Sequence, residues 1–257
     1  MLLSQILVYP IKSLDGVAVK EARMTAGGIL EFDRIYAIQD EAGTYVNGKR
    51  TPLVQLLRTT FDPAFQEVCI WKNGDAARNH FSLAEPEALS RWLSAYFGFA
   101  VKLVSETIGG FPDDRTASGP TITSVASLQK VTDWFPEIDL ESARRRFRSN
   151  LEIGDVPAFW EDHLFGAAGE LKPFQIGDVH FLGHNPCQRC VVPTRDPDRS
   201  HSIPNFQKSF MELRRKNLPD WSNADRFNHY YRFAINTSVP ASEASKILRV
   251  GDPVLVE

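Results

Sequence analysis

At 257 residues, 43% of them hydrophobic, the chain is long enough to bury an ordinary core as one large domain or two modest ones. A formal net charge of -3 and a pI near 6.1 supply no field that would gather nucleic acid or an anionic membrane, so neither partner is expected. Sixteen glycines and sixteen prolines against three methionines favour many short elements joined by turns, a strand-rich architecture over a helical bundle.

The opening MLLSQILVYPIKS has no basic leader and only a short apolar run before Pro10, so it reads as a first strand and not as a signal peptide. No stretch approaches 18 uninterrupted apolar residues, and the expected address is the cytoplasm. Short strands punctuated by glycine turns follow: GVAVKEARM, RIYAIQD, EAGTYV and QEVCIWK. In EPEALSRWLSAYFG, Leu89, Trp92, Leu93, Tyr96 and Phe97 recur at helical spacing, and Gly98 stands where a C-terminal cap belongs, which predicts a helix. After the strand AVKLV, the glycine- and proline-rich ETIGGFPDDRTASGP marks the expected boundary between a domain of residues 1–110 and one of residues 111–257. A second helix, SVASLQKVTDWF, has Thr123 and Ser124 as candidate N-caps. LESARRRFRSNLEI then packs Arg144, Arg145, Arg146 and Arg148 just before a strand, and KPFQIGDVHFLGH alternates into the cysteine segment. In IPNFQKSFMELRRK, Ile203, Phe206, Phe210 and Leu213 share a helical face, and YYRFAIN and KILRVGDPVLV close the chain as strands. The expected fold is α+β: mostly antiparallel strands closing into one or two small barrels, with three helices outside.

Three cysteines do not make a disulfide framework, and a reducing compartment would keep them as thiols. Cys69 sits in EVCIWK, where strand alternation assigns it to packing. Cys187 and Cys190 stand in HNPCQRCVVPTRDPDR and admit several readings. Half a zinc site would need His184 and His201 as partners, but no second pair lies at structural-zinc spacing. A redox pair would need a helix after Cys190, which Pro193, Asp196 and Pro197 disfavour. Two small buried side chains near a turn is the plain alternative. A thiolate also suits a soft or high-valent metal, and Arg189 and Arg195 would favour the deprotonated form. Lys12-Ser13, Arg34 and the run from Phe147 to Asn150, at strand ends, form a set of donors for a phosphate or a polar heterocycle. Any one of them alone reads as a solvated surface group.

Taken together, YPIKSLDGVAV, FDRIYAIQDEAGTYV, TASGP, FRSNLEI, IGDVHF, CQRCVVPTRDPD and LRVGDPVLV, in that order, resemble the MOSC family, the domain of molybdenum cofactor sulfurases and of amidoxime-reducing molybdoenzymes, here with the N-terminal barrel domain that often precedes it. The resemblance implies a small N-terminal β-barrel domain packed on a MOSC β-barrel with peripheral helices. It also implies molybdenum cofactor, with Cys190 as the protein ligand to the metal. Lys12, Ser13 and Arg34 from the first domain, and Ser118, Arg148 and Asn150 from the second, would hold the molybdopterin phosphate and pterin. Asp196 matches the family's active-site aspartate, where it would bind a protonated substrate or relay a proton; capping the turn around Pro197 is the competing role. Cys187 is left without an assigned function. The implied activity is reduction of N-hydroxylated or N-oxide-type small molecules, with electrons from a separate donor protein carrying flavin, haem or iron–sulfur. The alternative is a non-catalytic cofactor carrier or persulfide-transfer module. Two departures stand out: Thr116-Ala117-Ser118 replaces the D-T-S of the amidoxime reductases, and Arg199-Ser200 opens a longer segment running to Trp221.

Overall fold

The structure, a computed structural model, describes residues 1–199 and 201–256, so Ser200 of the second departure lies outside the described residues. The first half of the chain carries β1 (Leu2–Val8), β2 (Val17–Val19), β3 (Glu21–Arg23), β4 (Tyr36–Asp40), β5 (Leu57–Phe61), β6 (Glu67–Lys72), β7 (Asn79–Ser82), α1 (Glu87–Phe97) and β8 (Val101–Ser105). The second half carries β9 (Ile122–Ser124), α2 (Val125–Trp134), α3 (Leu140–Phe147), β10 (Leu151–Gly154), β11 (Lys172–Ile176), β12 (Val179–Gln188), α4 (Phe206–Lys216), β13 (Arg232–Ser238), β14 (Ile247–Arg249) and β15 (Val254–Val256). The strand-rich α+β class is as expected.

An eight-stranded sheet runs in the order β15-β11-β12-β13-β9-β10-β1-β2, with β10 and β9 parallel. Its apolar face buries Leu3, Ile6, Ile122, Ile153, Phe174, Phe181 and Ile235. Gly183 on β12 permits this packing: a Cβ there would sit 1.7 Å from the Leu164 carbonyl oxygen. The β4-β8 pair and the β5-β6-β7 sheet enclose with α1 a separate core around Ile38, Val68, Ile70, Leu93 and Leu103. The apolar faces of α2, α3 and α4 meet β13 in a third core rich in phenylalanine, with Phe147, Phe206, Phe210 and Phe233 fully or nearly buried.

Local rules explain the helix ends. Gly98 adopts the left-handed conformation (φ 79°) and its N–H bonds to the Ser94 carbonyl, closing α1. Ser124 caps α2 by accepting from the Ser127 N–H at 3.1 Å. The arginine run differs from expectation: it is itself a helix, α3, capped by Asp139, which accepts from the Ser142 N–H at 2.7 Å. On α4 the buried stripe is Phe206, Phe210 and Arg214, whereas Leu213 is half-buried, because an ion pair with Asp162 draws Arg214 inward. EAGTYV forms a turn that closes on β4 through the Gln39–Tyr45 bridge. Cys69 is half-buried on the face of β6 opposite the buried Val68 and Ile70.

The expected boundary at residue 110 is not a boundary between sheets. β1 pairs with β10, and β3 pairs with β14, so the first 23 residues complete structure built from the second half. Hydrogen bonding drives this: paired on both sides, β1 leaves no exposed ladder, which an isolated N-terminal unit would.

Candidate functional site: a cationic cavity between the two halves

A cavity of about 790 Å³ opens where loops of both halves meet, and ten Lys or Arg side chains line it against three aspartates. A chain of net charge -3 thus gathers ten of its 29 Lys and Arg residues at one place. Of the eight candidate site residues, Lys12, Ser13, Arg34, Ser118, Arg148 and Cys190 line the cavity. Asn150 and Asp196 do not.

The first wall is built around Tyr9. Its hydroxyl donates to the Ser149 carbonyl at 3.1 Å, and burial pushes its pKa up to about 12. The guanidinium of Arg148 lies 4.3 Å from the ring centroid and that of Arg34 lies 5.2 Å away, so one aromatic ring orients two cations. Arg34 is further held by Asp33 at 2.5 Å and by Asn150 Oδ1 at 3.2 Å. Asn150, fully buried, spends the rest of its amide on the Leu7 carbonyl and Thr121, so it acts behind Arg34 and not at the cavity surface. Lys12 donates to the Phe111 carbonyl at 2.8 Å and to Asp113 at 2.6 Å; burial lowers its pKa while Asp113 opposes that shift. Asp113 is an exposed residue at the cavity rim; desolvation beside the cavity acts to raise its pKa, but Lys12 and Arg34 prevail and hold it at about 2.

Ser13 (φ 74°), Arg34 (φ 51°) and Arg148 (φ 54°) all adopt the left-handed backbone, which costs a residue other than glycine about 1–2 kcal/mol. At Arg148 this conformation ends α3, the N–H bonding to the Arg144 carbonyl at 2.8 Å, and turns the side chain into the cavity. Glycine would fill that cap without strain, so the arginine side chain is what the position retains.

The remaining arginines of α3 each have a different partner. Arg144 forms a bidentate pair with the buried Glu152. Arg145 grips Asp198 through two bonds of 3.0 Å. Arg146 donates to the carbonyls of Pro193 at 3.0 Å and Arg195 at 2.6 Å. The last two bind the segment that follows Cys190. From the other half of the molecule, Arg58 on β5 reaches the Pro197 carbonyl and Asp198, and Arg195 reaches the Gly48 carbonyl. The loop carrying Cys190 is therefore strapped to both halves. The Cys190 sulfur, half-buried, accepts from the Val192 N–H at 3.5 Å.

Asp196 accepts from the N–H groups of Asp198 and Arg199 at 2.9 and 2.8 Å and faces Arg146 at 3.7 Å. Burial works against its charge, but those bonds hold its pKa below the ordinary value. This geometry is that of a turn cap. Cys187 is buried, burial raises its pKa, and its thiol donates to Asn236 Oδ1. His184 bonds to the Ser238 hydroxyl at 2.8 Å, and among the described residues no group of three or more His, Cys, Asp or Glu converges on a metal-binding point. The site residues not anticipated from sequence are Tyr9, Asp33, Arg58, Asp113 and Arg232. Tyr9 and Asp33 lie within the motifs YPIKSLDGVAV and FDRIYAIQDEAGTYV, although neither stood out there as a site residue.

Two donors fit an anionic ligand of appreciable size. The Nε–H groups of Arg58 and Arg189 are buried without a hydrogen-bond partner among the described residues, and both side chains line the cavity. Unpaired buried donors of this kind are costly unless something fills the space. A metal at Cys190 would find one protein sulfur and would have to bring its other ligands with it, as an organic metal cofactor with an anionic tail does.

Comparison with known proteins gives a consistent picture. The family model described as the MOSC N-terminal beta barrel domain matches residues 1–85, and that of the MOSC domain matches residues 119–255. The chain is 23% identical over 286 residues to mitochondrial amidoxime reducing component 2 of Bos taurus, an alignment spanning 98% of this chain and 82% of the relative. Identity to mitochondrial amidoxime-reducing component 1 of Xenopus laevis is 24% over 305 residues, covering 98% and 81%. A molybdenum cofactor sulfurase of Drosophila willistoni is 23% identical over 252 residues, 82% of this chain but 30% of that protein.

Proposed function

The chain belongs to the MOSC domain family, and from that membership we propose that it is a molybdenum-cofactor-binding oxidoreductase that reduces N-hydroxylated or N-oxide-type small molecules by oxygen-atom transfer. One observation carries the reading: a half-buried cysteine sulfur and a set of guanidinium donors lacking protein acceptors share a single cavity. Similarity along 98% of the chain to proteins named amidoxime reducing components supports the reductive direction.

When bound, the cofactor supplies a redox-active metal, with its own dithiolene sulfurs, that exchanges two electrons and accepts an oxygen atom. Cys190 provides the protein thiolate. Lys12, Ser13, Arg34, Ser118 and Arg148 would hold the cofactor's phosphate and pterin, while Asn150 keeps Arg34 in place and Tyr9 fixes the plane of both arginines. Arg145, Arg146 and Arg58 keep the Cys190 loop at a constant distance from that cradle, which is the geometric requirement for one molecule to span both. The chain's three cysteines are too few for a four-cysteine iron–sulfur cluster, and the electrons are assigned to a separate donor protein.

In protein purified with molybdopterin bound, Cys190→Ala is expected to lose molybdenum and to lower N-reductive activity, measured with an artificial electron donor, by about 100-fold or more. Retention of both would refute the reading. The similarity to a cofactor sulfurase favours a second reading, a carrier that passes cofactor or persulfide sulfur onward. Stoichiometric molybdenum without turnover of any amidoxime would decide for the carrier.

A further inference from the structure

We infer that the cavity wall formed by β12 and β13 is a carboxylate subsite, in which Arg232 and Asn185 receive the anionic end of the substrate and Cys187 positions them. That the occupant is a substrate rests on the reductase reading; the binding itself does not.

Asn185 and Cys187 are two residues apart on β12 and so share a face. Asn236 stands opposite Asn185 and Arg232 opposite Gln188 on β13, and Asn185, Cys187, Arg232 and Asn236 all line the cavity. Their hydrogen bonds run in one direction. The buried Cys187 thiol keeps its proton and donates to Asn236 Oδ1, which fixes that amide so that its Nδ2 donates to Asn185 Oδ1 at 3.0 Å. The Asn185 Nδ2, on a side chain that lines the cavity, is left with no acceptor among the described residues. Arg232 is immobilised at both ends of its fork, Nη1 on the Pro186 carbonyl at 2.7 Å and Nη2 on Asn228 Oδ1 at 2.8 Å. Its Nε–H is buried and unbonded, and no carboxylate of the described residues pairs with it.

The wall therefore ends in N–H donors beside an uncompensated cation. A ligand that only accepts, with negative charge and two oxygens, satisfies it; a neutral donor group does not. The subsite stands apart from the Lys12, Arg34 and Arg148 cradle in both sequence and element. Arg232 faces the β12 residue two before Cys190, on the order of 7 Å along the strand, a separation that suits a small aromatic acid carrying an N-hydroxylated group at its far end.

Benzoate and its neutral analogue benzamide are the probes, titrated calorimetrically into the full-length protein as purified. Benzoate is expected to bind at least about tenfold more tightly than benzamide, and to weaken by about tenfold in Arg232→Gln but less than about twofold in Arg148→Gln. Cys187→Ser, which keeps a donor, is expected to bind like the parent, and Cys187→Ala to bind more weakly. Equal affinity for the two probes, or dependence on Arg148 in place of Arg232, overturns the subsite. Equal behaviour of Cys187→Ala and the parent overturns the positioning role. Arg232→Gln is further expected to raise KM for 4-carboxybenzamidoxime about tenfold, with kcat and molybdenum content held; loss of molybdenum instead would make Arg232 a cofactor residue and overturn the inference. If no amidoxime is turned over, the reductase reading falls and the benzoate titration still decides the subsite.

Discussion

Arg214 on α4 and Arg148 at the end of α3 both carry their charge away from bulk water, in opposite arrangements. Arg214 is 2% exposed, paired with the equally buried Asp162 at 2.5 Å and stacked 3.9 Å from the Phe159 ring centroid. Arg148 stacks on Tyr9 but meets no carboxylate among the described residues, and it faces the cavity. A buried charge compensated by the protein belongs to the fold, whereas one left open toward a cavity is compensated only by a ligand. The contrast separates framework arginines from functional ones without reference to any relative.

The largest effect is expected from breaking the framework pair. Asp162→Ala should cost about 3–5 kcal/mol in urea unfolding, because it strands the Arg214 charge in an apolar layer; a loss below about 1 kcal/mol would mean that water reaches that guanidinium. Arg148→Gly should do the reverse, leaving stability within about 1 kcal/mol of the parent, since glycine relaxes the left-handed cap, while bound molybdopterin falls sharply. A stability loss as large as that of Asp162→Ala would erase the distinction. The smallest effect concerns Asp113, an exposed carboxylate whose pKa is held at about 2, below its ordinary 3.8, by Lys12 and Arg34, and whose contribution solvent screening keeps small. Its contribution is complete above the ordinary carboxylate pKa and is lost as pH falls through about 2. Acid unfolding curves of Asp113→Asn should therefore be flatter between pH 4 and about 2, though only in part, because Glu243 is also held at about 2.

Features governed by neighbours in sequence were legible. Helix α1 with Gly98, and α2 with Ser124, followed from periodicity and capping. The arginine run was not legible as a helix, because its apolar stripe is reduced to Ala143 and Phe147 and its other inward residue, Arg146, is charged. Leu213 was a reasonable choice for the core face of α4 until Asp162, from a distant turn, supplied a partner that draws Arg214 inward. The six cavity-lining candidates were found through motif order, since no local signal brings Lys12 beside Arg148. Asn150 sat one layer too deep for sequence to distinguish from a lining residue. The subsite residue Arg232 lay in a segment that reads only as a strand, its unpaired Nε–H visible solely once β13 is placed against β12.

The pairing of β3 with β14 also bears on how the molecule comes into being. Ala22 is matched with Leu248, so a chain emerging from the ribosome holds its third strand unpartnered until the residues up to Leu248 have been made. Such distant contacts are slow to form, and the nascent N-terminal segment remains in need of protection meanwhile. Uptake of any large prosthetic group by the cavity must then be a late, post-synthetic event, because the surface that receives it does not exist on the half-made polypeptide.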